Sequence, residues 1–337
     1  LVRVAVVILN YNGENYLRQF LPGVIAAVSE PDEVWVADNA STDGSVAYVQ
    51  SLGTRVRLHQ NAQNLGFAGG YNEAIAAIEA EYILLLNSDV QVTEGFLAPL
   101  LDALVVNNHW VAVQPKVLAF HNPASFEYAG AAGGFLDKLG YPYCRGRIFD
   151  TLELDLGQYN VPTKVFWTSG AAMLIKRAAY LEVGGLDQHF FAHMEEIDLC
   201  WRLHKAGYSL GYVPESVVYH VGGATLETGS PKKTFLNFRN ALAMLVKNHP
   251  TNFLFGLVFL RLCLDGVAGL KFLLERKPKL MFAIIRAHYA FYAWLPRLLK
   301  ERKELKKYSS NAKDSVCKPE SILVAYYLKG KKKYSDL

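Results

Sequence analysis

Val4-Ala5-Val6-Val7-Ile8-Leu9, followed at once by Asn10-Tyr11-Asn12, decides the fold. Six consecutive apolar residues, mostly β-branched and without polar alternation, predict a strand buried on both faces of a mainly parallel sheet. Two further runs share the form: Glu33 to Ala37 leads into Asp38-Asn39, and Tyr82 to Leu86 into Asn87-Ser88-Asp89. Between them residues 14–28 carry a helical pattern through Tyr16, Leu17, Phe20, Leu21 and Ile25. Ser45 to Leu52 and Gly69 to Ile78 predict two more helices, and Val56 to His59 another strand. This alternation predicts an α/β, doubly wound, Rossmann-like unit with right-handed crossovers. Ligands in such sheets sit beyond the carboxyl ends of the strands, so the three polar clusters are expected to converge.

Residues 120–164 are rich in Gly, Tyr and Pro and predict a loop-heavy stretch with short strands, suited to shaping a cleft. Trp167-Thr168-Ser169-Gly170 forms a small-residue turn into an apolar strand. His193 to Arg202 then packs Glu195, Glu196 and Asp198 into four positions at helical spacing. Strands are expected at Ser209 to Val213 and at Val217 to His220. From about residue 231 the pattern becomes helical with basic punctuation. Arg261, Asp265 and Lys271 interrupt the apolar run that opens at Phe253, so no stretch reaches the roughly 18 to 20 uncharged residues of a membrane span. Two or three amphipathic helices, including Phe282 to Leu299, suit a membrane surface instead. The expected division is 1–245 for the α/β domain and 246–337 for a helical basic extension.

The net charge of +4 hides an asymmetry: residues 1–230 hold 13 Lys and Arg against 24 Asp and Glu, whereas 231–337 hold 22 against 7. An acidic body argues against nucleic acid as a partner and suits a carboxylate site that holds a cation. The basic remainder suits anionic lipid, at about 1 kcal/mol per basic residue near the surface. Cys144, Cys200, Cys263 and Cys317 form no CxxC pair or zinc spacing, as expected of reduced thiols in a cytosolic protein. No secretory leader is expected, since Leu1-Val2-Arg3 enters the first strand at once, and the missing Met leaves a trimmed start open. The expected location is the cytoplasm, at the inner face of the cytoplasmic membrane.

Several residues can carry chemistry. Asp38, at the head of Asp38-Asn39-Ala40-Ser41-Thr42-Asp43-Gly44-Ser45, could accept from a base or ribose, although the segment alone is also an Asx-rich turn. Asn64-Leu65-Gly66-Phe67-Ala68-Gly69-Gly70 is a glycine-rich turn able to present backbone N–H groups to a diphosphate. Asp89 ends a strand where a hard cation could take carboxylate and phosphate oxygens, or where an Asp could merely cap a turn. Glu195, Glu196 and Asp198 could be acids favoured by a helix N-terminus. Phe190, Phe191, Leu199 and Trp201 suggest a more enclosed setting. His220, at a strand end, is open to a structural or a ligand role.

These segments together resemble family 2 glycosyltransferases of the GT-A fold, in particular the rhamnosyltransferase-like branch. The resemblance rests on Val7 to Asn12, Asp38 to Ser45, Asn64 to Gly70, Leu86 to Asp89, Gly184-Gly185-Leu186-Asp187 and Glu195 to Arg202, and covers roughly residues 3–245. It implies inverting transfer of a sugar from a nucleotide-diphosphate donor to a glycan or lipid-linked acceptor. Asn87-Ser88-Asp89 occupies the place of the family's DxD motif, with Asn in its first position. Asp89 is then the metal ligand for Mg²⁺ or Mn²⁺, with His220 completing the site, while Asn87 and Ser88 lie near the donor. Asp38, Asn39, Asn10, Asn12, Asn64, Gly66 and Gly69 are expected around the nucleotide. Glu196 stands at the family's base aspartate, with Glu195 or Asp198 as its partner, and Trp167, Ser169 and Gly170 match the turn where acceptor meets donor sugar.

Two other readings compete. An NAD-type oxidoreductase fits the strand-and-turn pattern but lacks GxGxxG after the first strand. A non-catalytic sugar-nucleotide or glycan-binding scaffold would keep the fold without the reaction, against which Asp89 and Glu196 speak.

Overall fold

The computed structural model describes residues 3–222, 229–308 and 320–337, so Cys317 lies outside the described residues. The first hundred residues alternate as expected: β1 (Val4–Asn10), α1 (Glu14–Ala27), β2 (Glu33–Asp38), α2 (Ser45–Ser51), β3 (Arg57–Gln60), α3 (Gly66–Ala77) and β4 (Tyr82–Asn87). These strands are parallel in the order β3-β2-β1-β4. Along β1, Ala5 and Val7 pack into one core cluster while Val4, Val6 and Ile8 pack into another. Successive strand residues face opposite sides of a sheet, so a strand covered on both sides must be apolar at every position.

The chain continues through β5 (Val90–Val92), α4 (Leu97–Val106), β6 (Trp110–Ala119) and β7 (Asn122–Phe126). The loop-rich stretch then folds as β8 (Gly134–Leu136), β9 (Pro142–Cys144), β10 (Arg147–Ile148) and β11 (Thr151–Leu152), a small antiparallel sheet of its own. β12 (Thr163–Val165), β13 (Ala172–Lys176), α5 (Arg177–Glu182), α6 (Glu195–Lys205) and β14 (Ser209–His220) complete the main sheet. That sheet is mixed rather than mainly parallel, because β13 enters antiparallel between β4 and β6.

The two strands expected at 209–213 and 217–220 are one. β14 runs through both and shifts register against β6 between Val213 and Val217, where Pro214 has no N–H to give the ladder. α3 begins at Gly66, three residues earlier than its pattern indicated, because the Asn64 side chain accepts from Gly66 N at 2.9 Å.

The basic region forms α7 (Pro231–Asn248), α8 (Leu254–Leu274) and α9 (Pro278–Leu305). α7 is capped by Ser230, whose Oγ accepts from Lys233 N, with Pro231 at the first helical position. The expected division at 245/246 falls within α7. α9 returns along α7, and the Arg302 guanidinium donates to the carbonyls of Val246, His249 and Thr251 at 3.0, 2.6 and 2.9 Å. Among the described residues no helix is long and apolar enough to cross a membrane.

Candidate active site

The register of the parallel strands brings their polar ends together. Asn10 pairs with Asp38 across β1 and β2, and Leu9 pairs with Asn87 across β1 and β4. Asn10 Nδ2 donates to Asp38 Oδ1 at 3.0 Å and to Ser41 Oγ at 3.1 Å, while Ser41 N donates to Asp38 Oδ2 at 2.9 Å. The Asn12 side chain accepts from Thr42 N at 2.7 Å, and both Asn12 and Ala40 hold positive φ. Such backbone is sparsely populated and persists where surrounding bonds over-determine it, often at ligand sites.

Asn39 is the hub of the next layer. Its Nδ2 donates to Gly66 O at 2.8 Å and to Asn64 Oδ1 at 3.2 Å, and its Oδ1 accepts from Asn61 Nδ2 at 3.0 Å. This corrects the expected role of the glycine-rich turn. Gly69 is buried inside α3, where the helix consumes its N–H, and its missing Cβ would lie 2.7 Å from Leu65 Cβ. Gly66, at φ +72°, lets the Phe191 ring approach to 2.6 Å of the position a Cβ would take. The turn is a packing joint between Asn39 at the end of β2 and the loop before α6.

Asp89 and His220 meet at the sheet edge, with Asp89 Oδ1 3.2 Å from His220 Nε2. The far side of the imidazole faces an acid with no motif around it, Glu127, whose Oε2 lies 3.2 Å from Nδ1. All three side chains are buried. Burial alone would depress the histidine, but Asp89 and Glu127 outweigh it and raise its pKa to about 10. Asn87 Nδ2 lies 3.4 Å from His220 Nε2. Ser88 Oγ is 3.7 Å from where a Cβ on Gly13 would stand.

Two ligand atoms in neighbouring positions of an octahedral ion with bonds near 2.1 Å lie about 3 Å apart, so the Asp89–His220 spacing fits one divalent cation. No group of three or more His, Cys, Asp or Glu among the described residues is arranged around a metal. The remaining ligands would be oxygens of a bound diphosphate or water, as is usual for Mg²⁺-type sites.

The carboxylates of α6 separate into different settings. Asp198 is wholly buried and fully engaged: Arg202 Nε at 2.8 Å, Lys247 Nζ at 3.1 Å and Asn248 Nδ2 at 2.7 Å. Burial would raise it, but Lys247 and Arg202 hold it below the ordinary range. It is a positioning residue that ties α6 to α7, which corrects its expected part in acceptor handling. Glu195 is buried too, and burial together with the charges of Glu196 and Asp198 drives its pKa well up. Glu196 is half-buried, with an Oε2 that has no hydrogen-bond partner, and burial raises it to about 7.

The loop leading into α6 is strained at three residues, Phe191, His193 and Met194, all with φ between 65° and 72°. Asn240 of α7, fully buried, donates through Nδ2 to the carbonyls of Phe190, Ala192 and His193 at 3.0, 2.9 and 2.8 Å. Phe67 N donates to Phe191 O at 2.7 Å. α3 and α7 thus fix the turn that aims the N-terminus of α6.

Opposite lies the turn before β13. A Cβ on Gly170 would stand 3.7 Å from Glu196 Cβ and 3.2 Å from Phe67 Cζ, so glycine keeps the floor open there. Trp167 donates from Nε1 to Phe135 O at 3.0 Å and shares a cavity of about 360 Å³ with Glu196. Ser169 is buried, its Oγ donating to Ala129 O and its N–H donating to Gln114 Oε1. Its hydroxyl is therefore spent on the fold and is not free for an acceptor, which corrects its expected part in acceptor binding. Glu127, Asn240 and Lys247 had no sequence signal, since each is a lone polar residue brought in by tertiary packing.

The fold is that of the GT-A glycosyltransferases. The chain belongs to glycosyl transferase family 2, whose sequence model matches residues 5–183. It is 30% identical over 233 residues to the N-acetylglucosaminyl-diphospho-decaprenol L-rhamnosyltransferase of Mycobacterium tuberculosis, covering 64% of this chain and 75% of that protein. Against the rhamnosyltransferase WbbL of Escherichia coli the identity is 26%, over 64% of this chain and 83% of the relative. Among solved structures, Staphylococcus aureus TarS 1–349 in complex with UDP-GlcNAc superposes with a TM-score of 0.57 at 15% identity, covering 99% of this chain and 93% of that one. GalNAc-T7 with UDP, GalNAc and Mn²⁺ superposes with a TM-score of 0.61 at 16% identity, over 98% of this chain and 58% of the other. The chain also carries a helical C-terminal region, α7 to α9.

Proposed function

We propose that the protein transfers a hexosyl or rhamnosyl unit, with inversion, from a nucleotide-diphosphate sugar to a hydroxyl of a lipid-linked glycan at a membrane surface. The observation that carries this reading is the placement of Glu196: enclosed, across from Gly170, with a carboxyl group poised near neutrality. In a single displacement a base removes the acceptor proton as the oxygen attacks, and a base works best when its pKa lies near the working pH. Glu196 accepts that proton in this reading. Glu195, its carboxyl pushed up by burial and by the charges of Glu196 and Asp198, is the neighbouring acid that acts with it. Asn10, Asn12 and Asp38 receive the nucleoside, with Asn39 positioning the turn behind them and Asn87 and Ser88 near the donor ribose and sugar.

Asp89 and His220, once the imidazole has given up its Nε2 proton, would hold Mg²⁺ or Mn²⁺, which when bound offsets the negative charge of the leaving diphosphate. Glu127, 3.2 Å from Nδ1, pairs with the imidazole from behind, where outer partners of metal-binding histidines sit. The name of the mycobacterial relative supports a lipid-linked acceptor and rhamnosyl transfer, and the Mn²⁺ in the GalNAc-T7 complex supports a divalent cation.

The region 246–337 is read as the part that meets an anionic membrane, at the cytoplasmic face. α8 keeps Arg261 and Asp265 inward and leaves Phe255, Phe259 and Leu274 exposed; α9 exposes Phe282 and Tyr289. Lys271, Arg276, Lys277 and Lys279 crowd the turn between the two helices. Apolar side chains ringed by cations suit a bilayer interface.

The test is incubation with UDP-, dTDP- and GDP-sugars, Mn²⁺ and a lipid-linked acceptor, with the product's anomeric configuration read by NMR. Transfer with inversion is expected, and Glu196→Gln should abolish it while nucleotide affinity stays nearly unchanged. A product that retains the donor's configuration, or wild-type turnover in the variant, refutes the assignment.

A further inference from the structure

The cavity that Glu196 shares with Trp167 has three cationic side chains on its wall, Arg147, Lys233 and Arg261. Arg147 and Arg261 are 7% and 2% exposed, and both stack on a tyrosine, Arg147 on Tyr128 at 4.1 Å and Arg261 on Tyr141 at 3.7 Å. Neither has a carboxylate within ion-pair distance among the described residues. Among the described residues Arg147 donates to Phe149 O at 3.4 Å and to Cys144 Sγ at 3.7 Å, and Arg261 to Leu139 O at 2.6 Å. The Nε of each is buried and has no hydrogen-bond partner among the described residues. Lys233, half-buried in the first turn of α7, likewise has no ion pair among the described residues, and burial pushes its pKa down.

Burying an unpaired guanidinium is costly, and proteins rarely leave two in one cavity without an anion to receive them. The carboxylates on this wall do not serve. Asp265 is taken by His288 at 3.2 Å, and Glu196 is the group assigned to proton transfer. Guanidinium planes already fixed by aromatic stacking present their free N–H groups in the fork geometry that suits phosphate oxygens.

We propose that this cavity is a phosphate subsite for the acceptor, in which Arg147, Arg261 and Lys233 hold the phosphate or diphosphate that links the acceptor sugar to its lipid. The proposal rests on the reading of Glu196 as base, which makes this the acceptor side. The same geometry separates the subsite from the donor's diphosphate, because Asp89, His220, Asn87, Asp38 and Asn10 are all absent from its wall. α8 connects it to the membrane reading. Its inward face contributes Arg261 to the cavity while its opposite side exposes Phe255 and Phe259. A lipid-tethered phosphate could then be bound in the cavity while its chain stays in the bilayer.

The test uses farnesyl diphosphate, farnesol and inorganic pyrophosphate as probes, titrated calorimetrically into the full chain with the donor site filled by a mixture of UDP, dTDP and GDP with Mn²⁺. Farnesyl diphosphate should bind at least tenfold more tightly than farnesol. Arg147→Gln, Arg261→Gln and Lys233→Gln should each weaken it by at least tenfold while nucleotide affinity stays within twofold. Lys233 is half-buried at a helix start, so its variant keeps the test decisive if an arginine variant fails to fold. Pyrophosphate binding with the same sensitivity also supports the subsite and places recognition on the phosphate rather than the chain. Equal affinity for farnesol and its diphosphate, or losses confined to nucleotide binding, would overturn it. Glu196→Gln should leave diphosphate binding intact, so failure of the catalytic reading and failure of the subsite give different results.

Discussion

Lys247 Nζ lies 3.1 Å from Asp198 Oδ2, and through this pair the helix that carries Glu196 is fastened to α7. The ammonium also reaches Asp187 at 2.7 Å and Glu301 at 3.5 Å, so one buried lysine links the start of the α6 loop, α6 itself and α9. Asp187, like Asp198, is held below the ordinary carboxylate range against its burial, chiefly by Lys247.

Lys247→Met would leave two buried carboxylates with less than their full complement of cations. Removing one partner of a buried ion pair typically costs about 3 to 5 kcal/mol, and urea unfolding should show a loss of that order. Because both aspartates titrate lower in the fold than unfolded, their contribution is present above pH 4 and is lost as the pH falls below it. Wild-type stability should therefore drop more steeply than that of the variant between pH 4 and pH 2. A variant as stable as wild type at pH 7 would remove the network from any structural role.

Glu196 has the opposite sign. Its carboxyl group is raised to about 7 by burial, so transfer should rise with pH through that value as the base becomes ionised. Loss of a positioned general base typically costs about 10²- to 10⁴-fold, and Glu196→Gln should lose both the rate and the rising limb. The same shift destabilises the fold as the pH climbs from the unfolded value near 4.5 toward 7, since the unfolded chain ionises first. Glu196→Gln should consequently lose less stability than wild type between pH 5 and pH 8, as read by thermal melting. A pH-independent rate between 6 and 8 would exclude Glu196 as the titrating base.

The parallel half of the sheet was legible because burial on both faces forces runs such as Val4 to Leu9, and because ligands gather where such runs end. Asn10, Asp38, Asp89 and Glu196 were reachable for the same reason, each being fixed by a local element. Ser169 and Asp198 look from the sequence like neighbours of chemistry, yet both are consumed by bonds to residues 40 or more positions away. Gly69 reads as a phosphate turn only until α3 is seen to begin at Gly66. Glu127 and Asn240 follow no local rule at all; their partners lie on β14 and on the loop before α6.

Glu127 should act on the cation only through His220. Calorimetric titration of nucleotide in the presence and absence of Mn²⁺ separates the cases. Asp89→Ala should remove the Mn²⁺ dependence of donor binding, whereas Glu127→Gln should weaken Mn²⁺ by about 10- to 100-fold, the usual effect of losing an outer partner. Glu127→Asp should restore part of that loss, since a carboxylate is again offered to Nδ1. Unchanged Mn²⁺ affinity in Glu127→Gln would leave Glu127 as packing alone.

Membrane contact is best tested without truncation. α9 is bonded to α7 through Arg302 and Lys247, so removing everything after residue 250 would expose core and confuse folding with binding. Phe255→Ser, Phe259→Ser and Leu274→Ser alter side chains that are 73%, 69% and 85% exposed and carry no core packing. At roughly 2 kcal/mol for an apolar side chain transferred out of water, the triple variant should sediment with anionic liposomes at least about 100-fold less than wild type. The basic turn between α8 and α9 should add a salt-dependent share, since exposed charges are screened within about 8 Å at physiological ionic strength. Raising salt to 1 M should weaken wild-type binding without abolishing it, because the apolar share is not screened. Equal sedimentation of both proteins at every salt concentration would show that these side chains face something other than lipid.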